Sequence, residues 1–189
     1  MSRRKTGSRA YTMVEVMAAL GVLTVGAFGV IAMEKSVQIA NANARMLATA
    51  NAVAETWVER LRADAMQWNN PGGIPDLGDT TWVKQVQNGA GFFSPLPVPG
   101  SASTAADIHG ADVFPGDPTL PAFCTHVSMT QLDPTSIAVT VRTVWIRGGR
   151  AIDCTLPPND VDIDPTRVDP VGYGAVYLST AVFTNEFGG

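Results

Sequence analysis

The chain is 189 residues long, 46% hydrophobic and 16% charged, which is ordinary for one globular domain with an appendage. Four of its 13 basic residues lie in the first ten positions and all 17 acidic residues follow them, so the remainder carries nine basic residues and a net charge of −8. An acidic surface of this kind repels duplex DNA, and we expect no nucleic-acid partner.

The first predicted element is an apolar helix near the N-terminus. Residues 16–33 contain no charged side chain, and Glu15 directly precedes them. Eighteen helical residues rise about 27 Å, and counting from Tyr11 the rise is roughly 35 Å, enough to cross the hydrocarbon core of a bilayer. We therefore predict a membrane-spanning helix over residues 11–34.

The residues before this helix set its predicted orientation. Residues 1–10 carry four basic side chains and no acidic one, and basic flanks stay on the cytoplasmic side, so the chain after Met33 is expected on the other side. A secretory signal peptide begins in the same way, but its apolar core is shorter and a small-residue cleavage site follows it. Here residues 33–46 continue without proline or glycine, which favours an uncleaved core.

The helix is predicted to continue as an amphipathic segment over residues 35–68, because apolar residues recur there mostly at steps of three and four. This stripe comprises Val37, Ala40, Ala44, Leu47, Ala54, Val58, Leu61, Ala65 and Trp68. The sequence NNPGG at 69–73 then ends the helix, which predicts about 55 residues in a single helix. We expect the apolar stripe to pack on the rest of the chain.

Residues 69–123 are rich in proline and glycine, which predicts a long irregular connection that is functional or partly disordered. The residues expected to pin this connection to a core are aromatic or aliphatic: Trp82, Val83, Phe92, Phe93 and Phe114.

Residues 124–189 carry the strand signals. We predict strands over 125–132 and 136–146, a two-residue turn at Gly148 and Gly149, a returning strand over 150–156 and a last strand over 173–184. The predicted fold class is therefore α+β, with a long helix followed by a small, mainly antiparallel sheet.

Cys124 and Cys154 both lie in the part predicted to leave the cytoplasm. In an oxidising compartment such a pair favours a disulfide, which would close a loop of about 31 residues and contribute roughly 3–4 kcal/mol in the chain-entropy model. Two buried free thiols are the alternative interpretation. A zinc site needs more ligands than these cysteines and the scattered His109 and His126 provide.

Three aspartates, Asp160, Asp162 and Asp164, alternate like the start of a calcium-binding loop. An EF-hand is excluded because Pro165 stands where its glycine is needed and Val171 where its last glutamate is needed. An acidic solvated loop and a nonstandard calcium site remain as interpretations. The chain has no P-loop, HExxH or Gly-x-Ser-x-Gly motif, so we expect neither enzymatic activity nor a cofactor.

Residues 9–33, RAYTMVEVMAALGVLTVGAFGVIAM, resemble the N-terminus of type IV pilins and of type II secretion pseudopilins. In that family a prepilin peptidase cuts off a short basic leader, the new aromatic N-terminus is methylated, and a glutamate four residues later precedes an apolar helix. The end of the polar helix, ERLRAD at 59–64, is similar to that of the minor pilins called PilV. The resemblance covers residues 7–65, about a third of the chain, and implies a pilin-like fold.

The resemblance also implies roles for three residues. It implies cleavage between Ala10 and Tyr11, which removes residues 1–10, and N-methylation of Tyr11. It further implies that Glu15 pairs with the N-terminal amine of a neighbouring subunit. The family usually has glycine where Ala10 stands, and because alanine is the smallest substitute we still expect cleavage.

The function expected from these features is that of a minor pilin, which primes assembly of a type IV pilus or lies in a tip complex. The expected partners are other minor and major pilins, the prepilin peptidase and the bacterial inner membrane, in a hetero-oligomer. The expected location is a single pass through that membrane with the C-terminal domain in the periplasm, followed by incorporation into the pilus at the cell surface.

Two other functions stay open at the level of the sequence. A minor pseudopilin of a type II secretion system shares the same N-terminal signature, and the neighbouring genes would distinguish it. A signal-anchored periplasmic binding or enzymatic domain is the third hypothesis, and it predicts no processing at Tyr11.

Overall fold

The computed structural model describes residues 12–68, 77–86, 91–149, 151–154 and 172–184. The elements in chain order are helix α1 (Met13–Ala65), a 3-10 turn (Val83–Gln85), and strands β1 (Ala105–Ala106), β2 (Phe123–Asp133), β3 (Ser136–Ile146) and β4 (Tyr173–Phe183). The chain divides into two compact units, Met1–Ala42 and Asn43–Gly189, and each is described by itself.

The described part of the first unit is helical from Met13 onward. An 18-residue window of this helix has a mean hydropathy of 2.3, and none of that window is buried within the protein. By length and composition the helix could form a single membrane span, as predicted.

The second unit contains the end of α1 and a four-stranded antiparallel sheet in the order β1-β2-β3-β4. Strands β2 and β3 form a hairpin, with Phe123 opposite Trp145, and β3 pairs along its whole length with β4. One long helix and an open antiparallel sheet confirm the predicted α+β class.

The core of the second unit lies between α1 and one face of the sheet. Residues Phe123, Val127 and Met129 of β2 belong to this core, together with Ile137, Val139, Val141 and Trp145 of β3 and Val176 and Val182 of β4. The side chains of alternate residues lie on opposite faces of a strand. The other face therefore carries Cys124, Val144 and Ile152, which form a smaller buried cluster.

The buried stripe of α1 differs in part from the predicted one. Five predicted members are buried, namely Ala54, Val58, Leu61, Ala65 and Trp68, whereas Val37, Ala40, Ala44 and Leu47 are exposed. Four residues that were not predicted complete the buried stripe: Met46, Ala50, Val53 and Trp57. The prediction extended one stripe through both units, but only the residues after Arg45 face the sheet core of the second unit.

One predicted strand is wrong in the described residues. Ala151, Ile152 and Asp153 form no strand, and the partner that returns along β3 is β4. Gly148 and Gly149 both have positive φ values, and the chain turns at residues 147–149, but among the described residues this turn does not form the predicted hairpin. The chain after this turn is tied elsewhere, because the Ile152 N–H donates to the Pro121 carbonyl and Cys154 is in a disulfide.

The described residues of the connection, 77–86 and 91–122, contain more regular structure than their composition predicts. The connection contributes β1, and Phe93 forms a bridge with Val127 at the edge of β2. Val83 is fully buried, while the other four residues expected to pin the connection are partly buried: Trp82, Phe92, Phe93 and Phe114.

Candidate functional site

Glu15 lies in the first turn of α1, three residues after Thr12. The Glu15 N–H lies 3.3 Å from the Thr12 hydroxyl oxygen and 3.0 Å from the Thr12 carbonyl oxygen, so Thr12 caps the helix. Thr-x-x-Glu is the capping-box pattern, in which the glutamate favours the helix start, and a carboxylate there also complements the positive end of the helix dipole. The position therefore favours a glutamate at the helix start, and the Thr-x-x-Glu spacing is a sequence signal that the membrane-helix prediction did not use.

The helix beyond Glu15 presents apolar side chains on every side. All residues from 13 to 45 are exposed, including Leu20, Leu23, Phe28 and Ile31. The hydroxyl of Thr24, the polar side chain within this run, donates to the Gly21 carbonyl at 2.8 Å and so needs no outside partner. A bilayer or other apolar helices would cover such a surface.

The Glu15 carboxylate forms no ion pair with any Lys or Arg in the described part of the chain. It lies at the head of a lipid-length apolar surface. A carboxylate that is moved into apolar surroundings strongly favours a paired state.

A second carboxylate, Asp64, lies near the other end of α1 and is only 4% exposed. Its two oxygens accept hydrogen bonds from three consecutive backbone N–H groups: Thr81 at 2.6 Å, Trp82 at 2.7 Å and Val83 at 2.8 Å. These N–H groups begin the 3-10 turn and have no partner within it. Asp64 thus holds the connection against α1, which makes its role structural.

Arg60 forms another link between α1 and the connection. Its guanidinium makes a two-pronged contact with the Asp112 carboxylate, with Nη1 3.2 Å from Oδ1, and lies 5.2 Å from the centre of the Trp57 ring. Such paired hydrogen bonds fix orientation as well as distance. Neither Asp64 nor Asp112 is free to act on a substrate.

A histidine and an arginine face each other on the outer side of the sheet. His126 on β2 is opposite Arg142 on β3, and the His126 Nδ1 lies 3.3 Å from the Arg142 Nη2. The Phe92 ring covers the Arg142 guanidinium at 4.3 Å, and Tyr177 meets the Phe92 edge. Burial, together with the Arg142 charge, lowers the pKa of His126 to about 4, so the ring is neutral near pH 7.

Cys124 and Cys154 form the predicted disulfide, with their Cα atoms 5.4 Å apart. The described residues contain no group of three or more potential metal ligands. The remaining predicted site residues, Ala10, Tyr11 and the three aspartates Asp160, Asp162 and Asp164, lie outside the described residues. Their predicted roles stay predictions.

No protein-family model matches the chain, and no curated protein or solved structure matches it either. The pilin resemblance therefore remains a prediction carried by residues 7–65. Among the described residues, the surface that stands out chemically is the exposed apolar helix headed by Glu15.

Proposed function

We propose that this chain is a minor pilin of the PilV type, a non-enzymatic subunit that joins other pilins through its N-terminal helix. The observation that carries the proposal is the Glu15 carboxylate at the head of eighteen uncharged helical residues, all of them exposed. A membrane anchor accounts for the apolar length, and a helix cap accounts for a glutamate at its start, but neither provides that carboxylate with a partner of opposite charge.

The apolar surface supplies the first step of the mechanism. In the inner membrane, lipid covers the helix and stores the subunit before assembly. In a bundle, neighbouring helices replace the lipid, and association then depends on close packing and on polar contacts rather than on the hydrophobic effect.

The carboxylate supplies the second step. Removal of residues 1–10 would give each subunit a positively charged α-amine at Tyr11. When the amine of one subunit meets Glu15 of another, both charges are paired, and a subunit shifted along the bundle leaves them unpaired. Single buried polar residues set helix register in this way in coiled coils.

The sheet domain has a separate role in this proposal. Strands β2, β3 and β4 form a stable body that the disulfide and Asp64 help to fix. On the far side of the membrane this body would present its loops to other minor pilins and to the outside.

Intact-mass and N-terminal peptide mass spectrometry of the protein, purified from a bacterium that has a prepilin peptidase, tests the proposal. We expect a mature chain that begins at Tyr11, carries one added methyl group on its amine, and has lost residues 1–10. An Ala10→Gly variant is the matched control, and it should be processed at least as completely. A mature chain that begins at Met1, or anywhere other than Tyr11, contradicts the proposal.

A further inference from the structure

Strand β4 forms one edge of the described sheet, and its own sequence and pairing lack the features that normally protect an edge. It runs for 11 residues (YGAVYLSTAVF) without a charged residue or a proline. Its pairing with β3 continues from Ile146 opposite Tyr173 to Ser136 opposite Phe183 without a bulge. Natural proteins usually shorten, charge or bend such an edge because it can pair with another strand.

The hydrogen bonds at the two ends of β4 show which backbone groups face outward. The Arg147 N–H donates to the Gly172 carbonyl at 2.8 Å, and the Thr184 N–H donates to the Thr135 carbonyl at 3.0 Å. The two residues that flank β4 in these bonds, 172 and 184, have even numbers. Because hydrogen-bonded and non-hydrogen-bonded pairs alternate along an antiparallel ladder, all even-numbered residues of β4 bond to β3. The odd-numbered ones direct their N–H and C=O groups away from it, and these are Tyr173, Ala175, Tyr177, Ser179, Ala181 and Phe183.

The opposite side of the sheet shows how a covered edge differs. There Thr125 and Val127 of β2 have outward partners: the Thr125 N–H donates to the Thr104 carbonyl, and Val127 exchanges two hydrogen bonds of 2.8 Å with Phe93. On β4, no backbone group among the described residues bonds to the outward N–H groups of the odd-numbered residues.

We propose that β4 pairs edge to edge with β4 of a second copy of this chain, antiparallel and about a two-fold axis at Leu178. Because the chain has a net charge of −4, two copies meet with least repulsion along this uncharged strand. The proposal does not rest on the assignment as a pilin.

The residues of β4 can be paired with those of a second, antiparallel β4. Around Leu178, Tyr173 would face Phe183, Ala175 would face Ala181, and Tyr177 would face Ser179. Odd-numbered residues thus meet odd-numbered residues, so the outward N–H groups of each copy meet the outward C=O groups of the other, with about ten backbone hydrogen bonds in all. Because the same surface of each copy is used, a two-fold contact of this kind produces a dimer and no larger assembly.

A substitution at Ser179 can weaken the proposed pairing between copies without removing a backbone hydrogen bond between β4 and β3. Its N–H faces outward, so Ser179→Pro removes a donor to the partner strand and leaves the bonds from β3 in place. The Ser179 hydroxyl lies 3.0 Å from the Thr140 hydroxyl. Ser179→Ala is therefore the matched control, since it removes that contact but keeps the N–H. Ser179→Lys is a second test variant, which keeps the backbone and places two positive charges at the interface.

The full chain, purified in detergent, is analysed by sedimentation velocity over a range of protein concentrations. We expect the unmodified chain and Ser179→Ala to form a dimer, and Ser179→Pro and Ser179→Lys to weaken it at least tenfold. Single-residue hydrogen exchange adds a second measurement. On dilution the amides of Tyr177 and Ser179 should exchange faster, while those of Leu178 and Thr180, which bond to β3, stay protected.

The even-numbered amides also report whether each variant keeps its sheet. A weaker dimer supports the proposal only when these amides stay protected, because the sheet is then intact. If Ser179→Pro unfolds the sheet, the dimerisation of Ser179→Lys is the test. A chain that remains a monomer at about 100 μM, in the range where weak interfaces associate, overturns the proposal. So does a dimer that neither Ser179→Pro nor Ser179→Lys weakens, because such a dimer is held elsewhere.

Discussion

At the scale of single residues, Glu15 combines a local role with a proposed intermolecular one. Its backbone position after Thr12 matches a capping box, which contributes about 1 kcal/mol to the start of a helix. The proposed pairing with an amine depends on the negative charge alone. Glutamine separates these roles because it serves in a capping box but carries no charge.

We predict that Glu15→Gln and Glu15→Ala both insert into the membrane and both lose co-purification with partner pilins by at least tenfold. A lost charge pair in apolar surroundings is worth more than the 1.4 kcal/mol that corresponds to this factor. Quantitative mass spectrometry of the proteins that co-purify with each variant measures the effect.

Thr12→Ala is the matched control for Glu15, because it removes the hydroxyl of the helix cap and keeps the carboxylate. It should co-purify with partners nearly as well as the unmodified chain. If Glu15→Gln retains its partners while Thr12→Ala and Glu15→Ala lose them, the carboxylate acts only in the helix cap.

At the scale of secondary-structure elements, one side chain joins α1 to the 3-10 turn. The buried Asp64 carboxylate accepts three backbone hydrogen bonds from residues 81–83. Its loss leaves one buried and two partly buried N–H groups without this partner. Each such group carries a desolvation penalty of about 1–3 kcal/mol.

We predict that Asp64→Ala lowers the free energy of unfolding by about 3 kcal/mol, and that Asp64→Asn lowers it by less because the amide oxygen still accepts. Urea unfolding of the detergent-solubilised chain, followed by the fluorescence of Trp57 and Trp82, gives the values. Glu55→Ala, at an exposed position of the same helix, should change stability by less than about 0.5 kcal/mol. An Asp64→Ala value that small would show that the three hydrogen bonds add little.

At the scale of the whole molecule, the periodic elements were predictable and the long-range pairing was not. The long helix follows from an uncharged run, an apolar stripe and a proline-containing stop, all of which are local signals. Strand β3 follows from alternation. Its partner β4 lies after a segment of about 26 residues, and a hairpin at Gly148 and Gly149 is the shorter-range alternative that local signals favour.

The contacts that fix the connection were also beyond local signals. Asp64 is one acidic residue among several on the same helix, and nothing beside it in the sequence indicates that it is buried under residues 81–83. Gly174 lies directly opposite Trp145, where a Cβ atom would overlap the indole ring. The Asp64 contact depends on how the connection folds back on α1, and the Gly174 contact depends on which strand lies beside β3.

The stability of the whole molecule should depend on pH through His126. His126 is 2% exposed, with the Arg142 guanidinium beside it and the Phe92 ring over that arginine. Burial, reinforced by the Arg142 charge, lowers the pKa of His126 from 6.5 to about 4 in the folded protein. Between these two values the unfolded chain binds a proton that the folded chain does not bind.

We therefore predict full stability above about pH 6.5 and a loss that grows as the pH falls toward 4, reaching about 3 kcal/mol. Urea unfolding at several pH values from 7.5 to 4.5 measures the slope, and His126→Gln, which cannot take up a proton, should flatten it. Asp133 does not add to the slope over this pH range. Hydrogen bonds from Ser136 and Thr135 lower its pKa below 3.8, so the stability that its charged form contributes is lost only at lower pH. If the unmodified chain and His126→Gln lose stability in parallel, the dependence arises from other groups and His126 is already protonated or accessible in the folded protein.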